Sequence, residues 1–421
     1  MAGQSGVYID DTGEGGRISV SAKGRIGSID DGQTKGAIVL DGPSALSLYR
    51  DRDDLTSSLQ NDYSTSTRVD QIADEIDDYW LSDEDVAASL AEESVFGSLA
   101  MTETEERLAA TPAGKLPRLE RSNMAHLRDA ISRSSDLKRM PYEALGLRPP
   151  SEHTPLYLLV PQADRRRRVK HVRQRLFGAT LPGHSFNRIG NDAYVPTPEL
   201  TFLLMAHYLS LHELIVLGME LCGHYRLAGA NTGQLLKSNR TLYNQASLTT
   251  PQRLSDYLDH VERVRGLSLA RQACGYLAAD SASPMETALY VLLCLPKNLG
   301  GYGFPRPLLN ARRRVTVQAE RVTMSKTLFP DLYWPEALLD LEYDSEEFHA
   351  SAEHLRNGAI RTLALRTMNV EVIAATKEMI YDEDMFDALA KIVAKSLGIR
   401  VRKPGERGCM RREQLRSIVL A

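Results

Sequence analysis

Apolar and polar residues alternate along Phe329–Asp344, "FPDLYWPEALLDLEYD", with the two-residue period of a strand that buries one face. Pro335-Glu336 interrupts the run and predicts a hairpin folded back between Glu336 and Ala337. In that register Trp334 faces Leu339, Leu332 faces Leu341 and Asp331 faces Glu342. Leu332, Trp334, Leu339, Leu341 and Tyr343 then share one face, and Asp331, Asp340, Glu342 and Asp344 share the other.

Other periodicities extend the prediction. "GAIVLDGPSALSLYR" reads as a strand, a turn at Gly42-Pro43 and a helix capped by Ser44, and "PLYLLVPQ" reads as a short apolar strand. Thr197, Pro198 and Glu199 open a helix whose stripe runs through Leu200, Leu203, Leu204, Leu211, Leu214 and Ile215. Ser283, Pro284 and Glu286 open another, with Glu286 where a capping box prefers it. The glycines at 300, 301 and 303 read as a turn. "RRRVTVQAERV" is expected as a strand before the hairpin. A helix in "SEEFHASAEHLRNGAIRTLALRTM", a strand in "NVEVIAAT" and a helix in "DEDMFDALAKIVAKSLG" follow it. The predicted order of this C-terminal unit is helix, three strands, helix, strand, helix.

Composition adds a division. With 421 residues and 43% hydrophobic content the chain can bury a sizeable core. Residues 1–100 hold seven Lys/Arg and twenty Asp/Glu, a net of −13, so the total of −4 leaves +9 on the rest. An acidic arm on a basic body suggests a polyanionic partner with the arm as competitor, or a protein partner for the arm itself. The densest positive run is Arg165, Arg166, Arg167, Arg168, Lys170, His171, Arg173 and Arg175, with Arg312–Arg314 as a smaller cluster. Such runs neutralise phosphates and predict sequence-independent DNA binding. Cys222, Cys274, Cys294 and Cys409 lack zinc or redox spacing, and "HELIV" at 212–216 lacks the second histidine of a zincin helix. "MAGQSGVYIDDTG" has neither a basic n-region nor an apolar h-region, and the most apolar stretch carries His207, His212, Glu213 and Glu220. A soluble cytoplasmic protein with no membrane partner is expected.

Two facing carboxylates need a proton, a base or a metal between them, and hard oxygen donors suit Mg²⁺ or Mn²⁺. The order of these motifs resembles the PD-(D/E)XK restriction-endonuclease-like fold, in its branch similar to very-short-patch repair endonucleases. The resemblance spans roughly residues 280–400. It rests on "SPME" at 283–286, the hairpin with Pro330-Asp331, Trp334-Pro335 and Glu342-Tyr343-Asp344, then His349, Arg361 and a closing Val372 to Thr376. It implies an α/β fold with an αβββαβα core. It also implies a metal-dependent endonuclease in which Asp331 and Glu342 hold Mg²⁺ or Mn²⁺, Glu286 adds an outer ligand, and His349 acts as general acid or base. Asp344, a further catalytic candidate, stands where many such nucleases carry Lys, as is normal for the resembled branch, while Ser345 stands where many have Gly and Arg356-Asn357-Gly358 where an Asp is often found. These departures point to altered or lost catalysis. Residues about 150–225 resemble AbiEi-type antitoxin-like proteins through "IGNDAYVPTPELTFLLMA". The expected layout is a flexible tail (1–36), an acidic, partly disordered segment (37–117), an AbiEi-like α+β or helical region with the basic run (118–277), the nuclease-like domain (278–403) and a basic tail (404–421). Arg165–Arg168, Lys170, Arg173 and Arg361 are the expected nucleic-acid contacts. A catalytically silent DNA-binding or antitoxin-like regulator, and a pure interaction protein working through its acidic arm, are the alternative readings.

Overall fold

The computed structural model describes residues 38–51, 142, 147–160, 168–179, 181–188, 193–228, 240–344 and 352–420. The 1–36 tail, most of the acidic segment, Arg165–Arg167 and His349 lie outside the described residues. Within them the protein is a mixed α/β structure of eleven α-helices and five small sheets.

The first half begins with β1 (Ile38–Val39) and α1 (Gly42–Asp51), followed by β2 (Leu156–Val160), β3 (Val172–Leu176), β4 (Phe186–Arg188) and β5 (Ala193–Pro196). β1 lies parallel to β5 and β4 antiparallel to it, while β2 and β3 form a separate parallel pair. The helix expected to be capped by Ser44 starts earlier. Asp41 Oδ1 accepts the Gly42 N–H at 2.7 Å, and the Asp41 carbonyl accepts from Ala45 at 3.0 Å. Ser44 is freed for the sheet, where its hydroxyl accepts the Tyr157 N–H at 2.9 Å.

α2 (Pro198–Met205) and α3 (Leu211–Leu221) follow β5. As the sequence predicts, Thr197 caps α2, taking the Leu200 N–H at 3.4 Å with Pro198 in the first turn. A full capping box opens α3, in which Glu213 returns to the Ser210 N–H at 2.8 Å. β6 (Arg226–Ala228) and β7 (Arg240–Leu242) pair antiparallel, and α4 (Pro251–Asp259), α5 (Leu267–Cys274) and α6 (Pro284–Cys294) come next.

α1 is buried along nearly its whole length, and Arg50 at its end is only 2% exposed. Its guanidinium meets Glu220 of α3 through Nε–Oε1 at 2.8 Å and Nη2–Oε2 at 2.5 Å. Glu220 is equally buried, so neither charge has water to fall back on. Residues 38–51 therefore belong to the core, which corrects the expectation that placed them within the acidic, partly disordered segment 37–117.

The second sheet holds β8 (Leu308–Leu309), β11 (Leu332–Trp334), β12 (Leu339–Asp344) and β13 (Glu371–Thr376), in the order β13-β12-β11-β8. β11 is antiparallel to both neighbours, and β12 runs parallel to β13. A parallel pair needs a crossover, and α8 (Ala352–Thr367) supplies it. The hairpin register is the predicted one: Leu332 pairs with Leu341, Tyr333 with Asp340 and Trp334 with Leu339. The turn is a 3₁₀ segment, Pro335–Ala337, closed by Leu338 at φ +46°.

"RRRVTVQAERV" departs from its expectation. Only β9 (Arg313–Arg314) is extended, paired with β10 (Thr327–Leu328), and α7 (Val317–Thr323) takes the rest. Thr316 decides this locally by accepting the Ala319 N–H at 3.3 Å as an N-cap. The strand that joins β11 is Leu308–Leu309 instead.

α9 (Lys377–Tyr381), α10 (Glu383–Ser396) and α11 (Glu406–Val419) close the chain. α11 occupies the stretch read as a tail and buries Leu415 completely. Gly300, at φ +92°, lets it approach, since a Cβ there would run into the Arg411 carbonyl. Apolar packing is continuous from Val39 to Leu415 and takes in Leu332, Trp334, Leu339 and Leu341. The other face of the second sheet carries a smaller cluster of Ala319, Leu328, Tyr333, Ala364, Leu365 and Val370.

Truncating one partner of a buried ion pair leaves an uncompensated charge and typically costs about 3–5 kcal/mol. Arg50→Ala and Glu220→Ala should each lower the unfolding free energy by roughly that amount in urea titrations. The apolar pair Arg50→Met with Glu220→Leu should recover part of it. Losses under about 1 kcal/mol for both single variants would show that the pair is not what seats α1.

Candidate functional site

The site lies on the hairpin face that looks away from the main core. Asp331 stands one residue before β11, and the ladder register sets it across from Glu342 on β12. Asp340 shares that face and is fully buried, as is Tyr333 opposite it. The acid-bearing face is thus covered by the α7 and α8 side of the sheet.

Glu286 enters from α6 and is 6% exposed. Ser283 caps the helix as predicted, accepting the Glu286 N–H at 3.1 Å. The Glu286 carboxylate accepts instead from Ala282 N–H at 2.8 Å and from Asn310 Nδ2 at 2.6 Å. Asn310 also donates its main-chain N–H to the Asp331 carbonyl at 3.2 Å. It thereby ties the helix carboxylate to the edge of the hairpin.

Arg361 of α8 supplies the positive charge. Its Nη2 lies 2.9 Å from Glu342 Oε1 and 3.3 Å from Asp331 Oδ1, and it also donates to the Phe329 carbonyl. Asp331 Oδ2 takes the Tyr343 N–H at 2.9 Å. No donor among the described residues reaches either oxygen of Asp340.

The electrostatics follow from this crowding. Burial, then the negative charge of Glu286, push the Asp331 carboxyl up to about 7, against the pull of Arg361. Burial, then Glu342 acting as hydrogen-bond partner and as a charge, push Asp340 up to about 10. The neutral form of Asp340 is therefore the favoured one at neutral pH. Burial also raises Glu286, opposed by its hydrogen bonds from Ala282 and Asn310. Desolvation lowers the Arg361 guanidinium, but the surrounding carboxylates outweigh it and hold the group above its ordinary value.

The sequence-predicted residues separate accordingly. Glu286, Asp331 and Glu342 come together; Asp344 ends β12, paired across the sheet with Thr376. Arg361, expected among nucleic-acid contacts, lies inside the carboxylate cluster. Arg168, Lys170 and Arg173 are exposed near β3. Sequence reasoning put Asp340 on the acidic face but assigned it no role, and missed Asn310. An Asn immediately after the apolar pair Leu308-Leu309 was its only signal. Among the described residues no group of three or more His, Cys, Asp or Glu side chains is arranged to hold a metal ion. No helix among them is long and apolar enough to cross a membrane. Comparison with family models, curated proteins and solved structures finds no match.

The raised carboxyls set a sign for the pH dependence of stability. A carboxyl raised in the folded state stabilises fully below its unfolded value of about 4, and that contribution is lost as pH rises through the folded value. In chelator-treated protein the melting temperature should fall between about pH 5 and 9, over which Asp331 and Asp340 retain protons that the unfolded chain has released. Asp340→Asn mimics the protonated carboxyl and should flatten the curve. Parallel curves for wild type and variant would remove Asp340 from this account.

Proposed function

We propose that the cluster of Glu286, Asp331, Asp340 and Glu342 is the site of a divalent-metal-dependent endonuclease acting on DNA phosphodiester bonds, within the restriction-endonuclease-like fold. The observation that carries this reading is the register that opposes Asp331 to Glu342, with Glu286 brought to the same place by Asn310. The donor types suit a hard cation, although their present spacing does not form a metal-holding group among the described residues. Asp331 and Glu342 would hold Mg²⁺ or Mn²⁺, with Glu286 behind them, and Asp340 adds buried oxygens that no donor reaches. When bound, such an ion supplies Lewis acidity towards the phosphate and makes a bound water more acidic. Asn310 orients Glu286, and the Tyr343 N–H orients Asp331. Arg361 places a guanidinium where phosphate charge would develop. The same reading puts the protein in the cytoplasm, with DNA as its partner.

One observation favours a second reading. Arg361 already bridges Asp331 and Glu342, and Asp344 stands in place of the lysine found in many such nucleases. A nuclease-like module with this internal counter-charge fits a catalytically silent DNA-binding or antitoxin-like regulator.

Supercoiled plasmid with and without Mg²⁺ or Mn²⁺ separates the two. Under the first reading the cation nicks the plasmid and raises the melting temperature, since binding at a hundred times Kd adds about 2.7 kcal/mol. Asp331→Asn and Glu342→Gln should each abolish the thermal shift and lower nicking at least about a hundredfold, the scale of losing one transition-state contact. Neither shift nor nicking in wild type would leave the silent module. A shift that survives Asp331→Asn would place the cation elsewhere.

A further inference from the structure

A concavity among the described residues lies away from the carboxylate cluster. It is a cleft of about 1370 Å³ between β3, the turn joining α2 to α3, and the loop at 262–265 that joins α4 to α5. Six cations line it: Arg168, Lys170, Arg173 and Arg175 from one wall, and Arg263 and Arg265 from the other. Glu262 is the one carboxylate among the described lining residues. Arg168, Lys170, Arg173, Arg263 and Arg265 are exposed. None of the five has an ion-pair partner among the described residues.

The floor is built to keep this charge in place. Asp41, fully buried, takes Arg175 Nη2 at 2.5 Å and the Tyr208 hydroxyl at 2.5 Å. The Arg175 guanidinium is held 5.4 Å from the Tyr208 ring centre and 5.9 Å from that of Phe177. Its Nε is buried with no acceptor among the described residues. His207 reports the resulting field: desolvation first, then the charges of Arg175 and Arg265, push its imidazole below the ordinary range.

We propose that this cleft grips the phosphodiester backbone of nucleic acid. Like charges on the two sides of a cleft repel each other, and a polyanion passing between them relieves that repulsion and releases its counterions. The space exceeds the roughly 300–1,000 Å³ of most small-molecule pockets, and its lining is polar rather than apolar. Arg263 and Arg265 come some ninety residues after the basic run, so the cleft is a product of the fold and not of one charged stretch. This site is independent of the nuclease reading and stands whether or not the carboxylate cluster cleaves.

Fluorescence anisotropy with a labelled 20-nucleotide single strand and a 20-base-pair duplex tests it, using full-length protein in EDTA so that no cleavage intervenes. Arg263→Gln with Arg265→Gln leaves the whole basic run intact and should weaken binding about tenfold at low salt. The slope of log K against log salt should fall by about 1.4 for a single strand or about 1.8 for a duplex, and the arm that shows it identifies the bound form. Arg402→Gln with Lys403→Gln, exposed and outside the cleft, should leave both quantities unchanged. Unaltered affinity and slope in the 263/265 variant would overturn the proposal. An equal loss in the 402/403 variant would do the same, reducing the effect to bulk charge. Any metal-dependent thermal shift should be the same in the 263/265 variant as in wild type, so failure here is distinguishable from failure of the catalytic reading.

Discussion

One guanidinium balances the acidic face of the second sheet. Asp340 is buried and Asp331 and Glu342 are half-buried on one face of a hairpin, with buried Glu286 brought in from α6, and Arg361 is the cation that reaches Asp331 and Glu342. Burying several carboxylates without compensation is prohibitive, so the cluster persists by combining a counter-charge with retained protons. Asp340 shows the second device, since burial and the neighbouring Glu342 raise its carboxyl to about 10. Asn310 and the Tyr343 N–H supply the remaining satisfaction.

Why the acids lie on that face follows from the hairpin's two sides. Leu332, Trp334, Leu339 and Leu341 fill the main core, and Trp334 also donates its indole N–H to the Pro305 carbonyl at 2.8 Å. Strand alternation then forces Tyr333, Asp340 and Glu342 onto the opposite side. Arg313 lies 4.7 Å over the Tyr333 ring there, so the cover on this face is partly polar. A fully apolar cover would have left the carboxylates without partners.

The hairpin was legible because a two-residue period and a proline break fix register without long-range information. The helix starts at Thr197 and Ser283 were legible for the same local reason. Other features were not. Arg361 lies nineteen residues beyond Glu342 and reaches it only because α8 crosses back over the sheet. Leu308-Leu309 is too short to carry a period, whereas "RRRVTV" mimics one until Thr316 caps a helix. Ser44 has the residue type of a cap, but the helix already starts at Gly42 behind Asp41. The cleft was half visible as a basic run, and its other wall came from residues that no local pattern joins to it.

The order of the elements has a consequence for synthesis. The hairpin leaves the ribosome before α8, so its acids emerge ahead of the arginine that compensates them. Until Arg361 follows, water is their best solvent, and the sheet has reason to stay open on that side while its apolar side collapses. Closure of the acidic side then waits for Arg361, and β13, which follows it in the chain, completes the sheet beside β12.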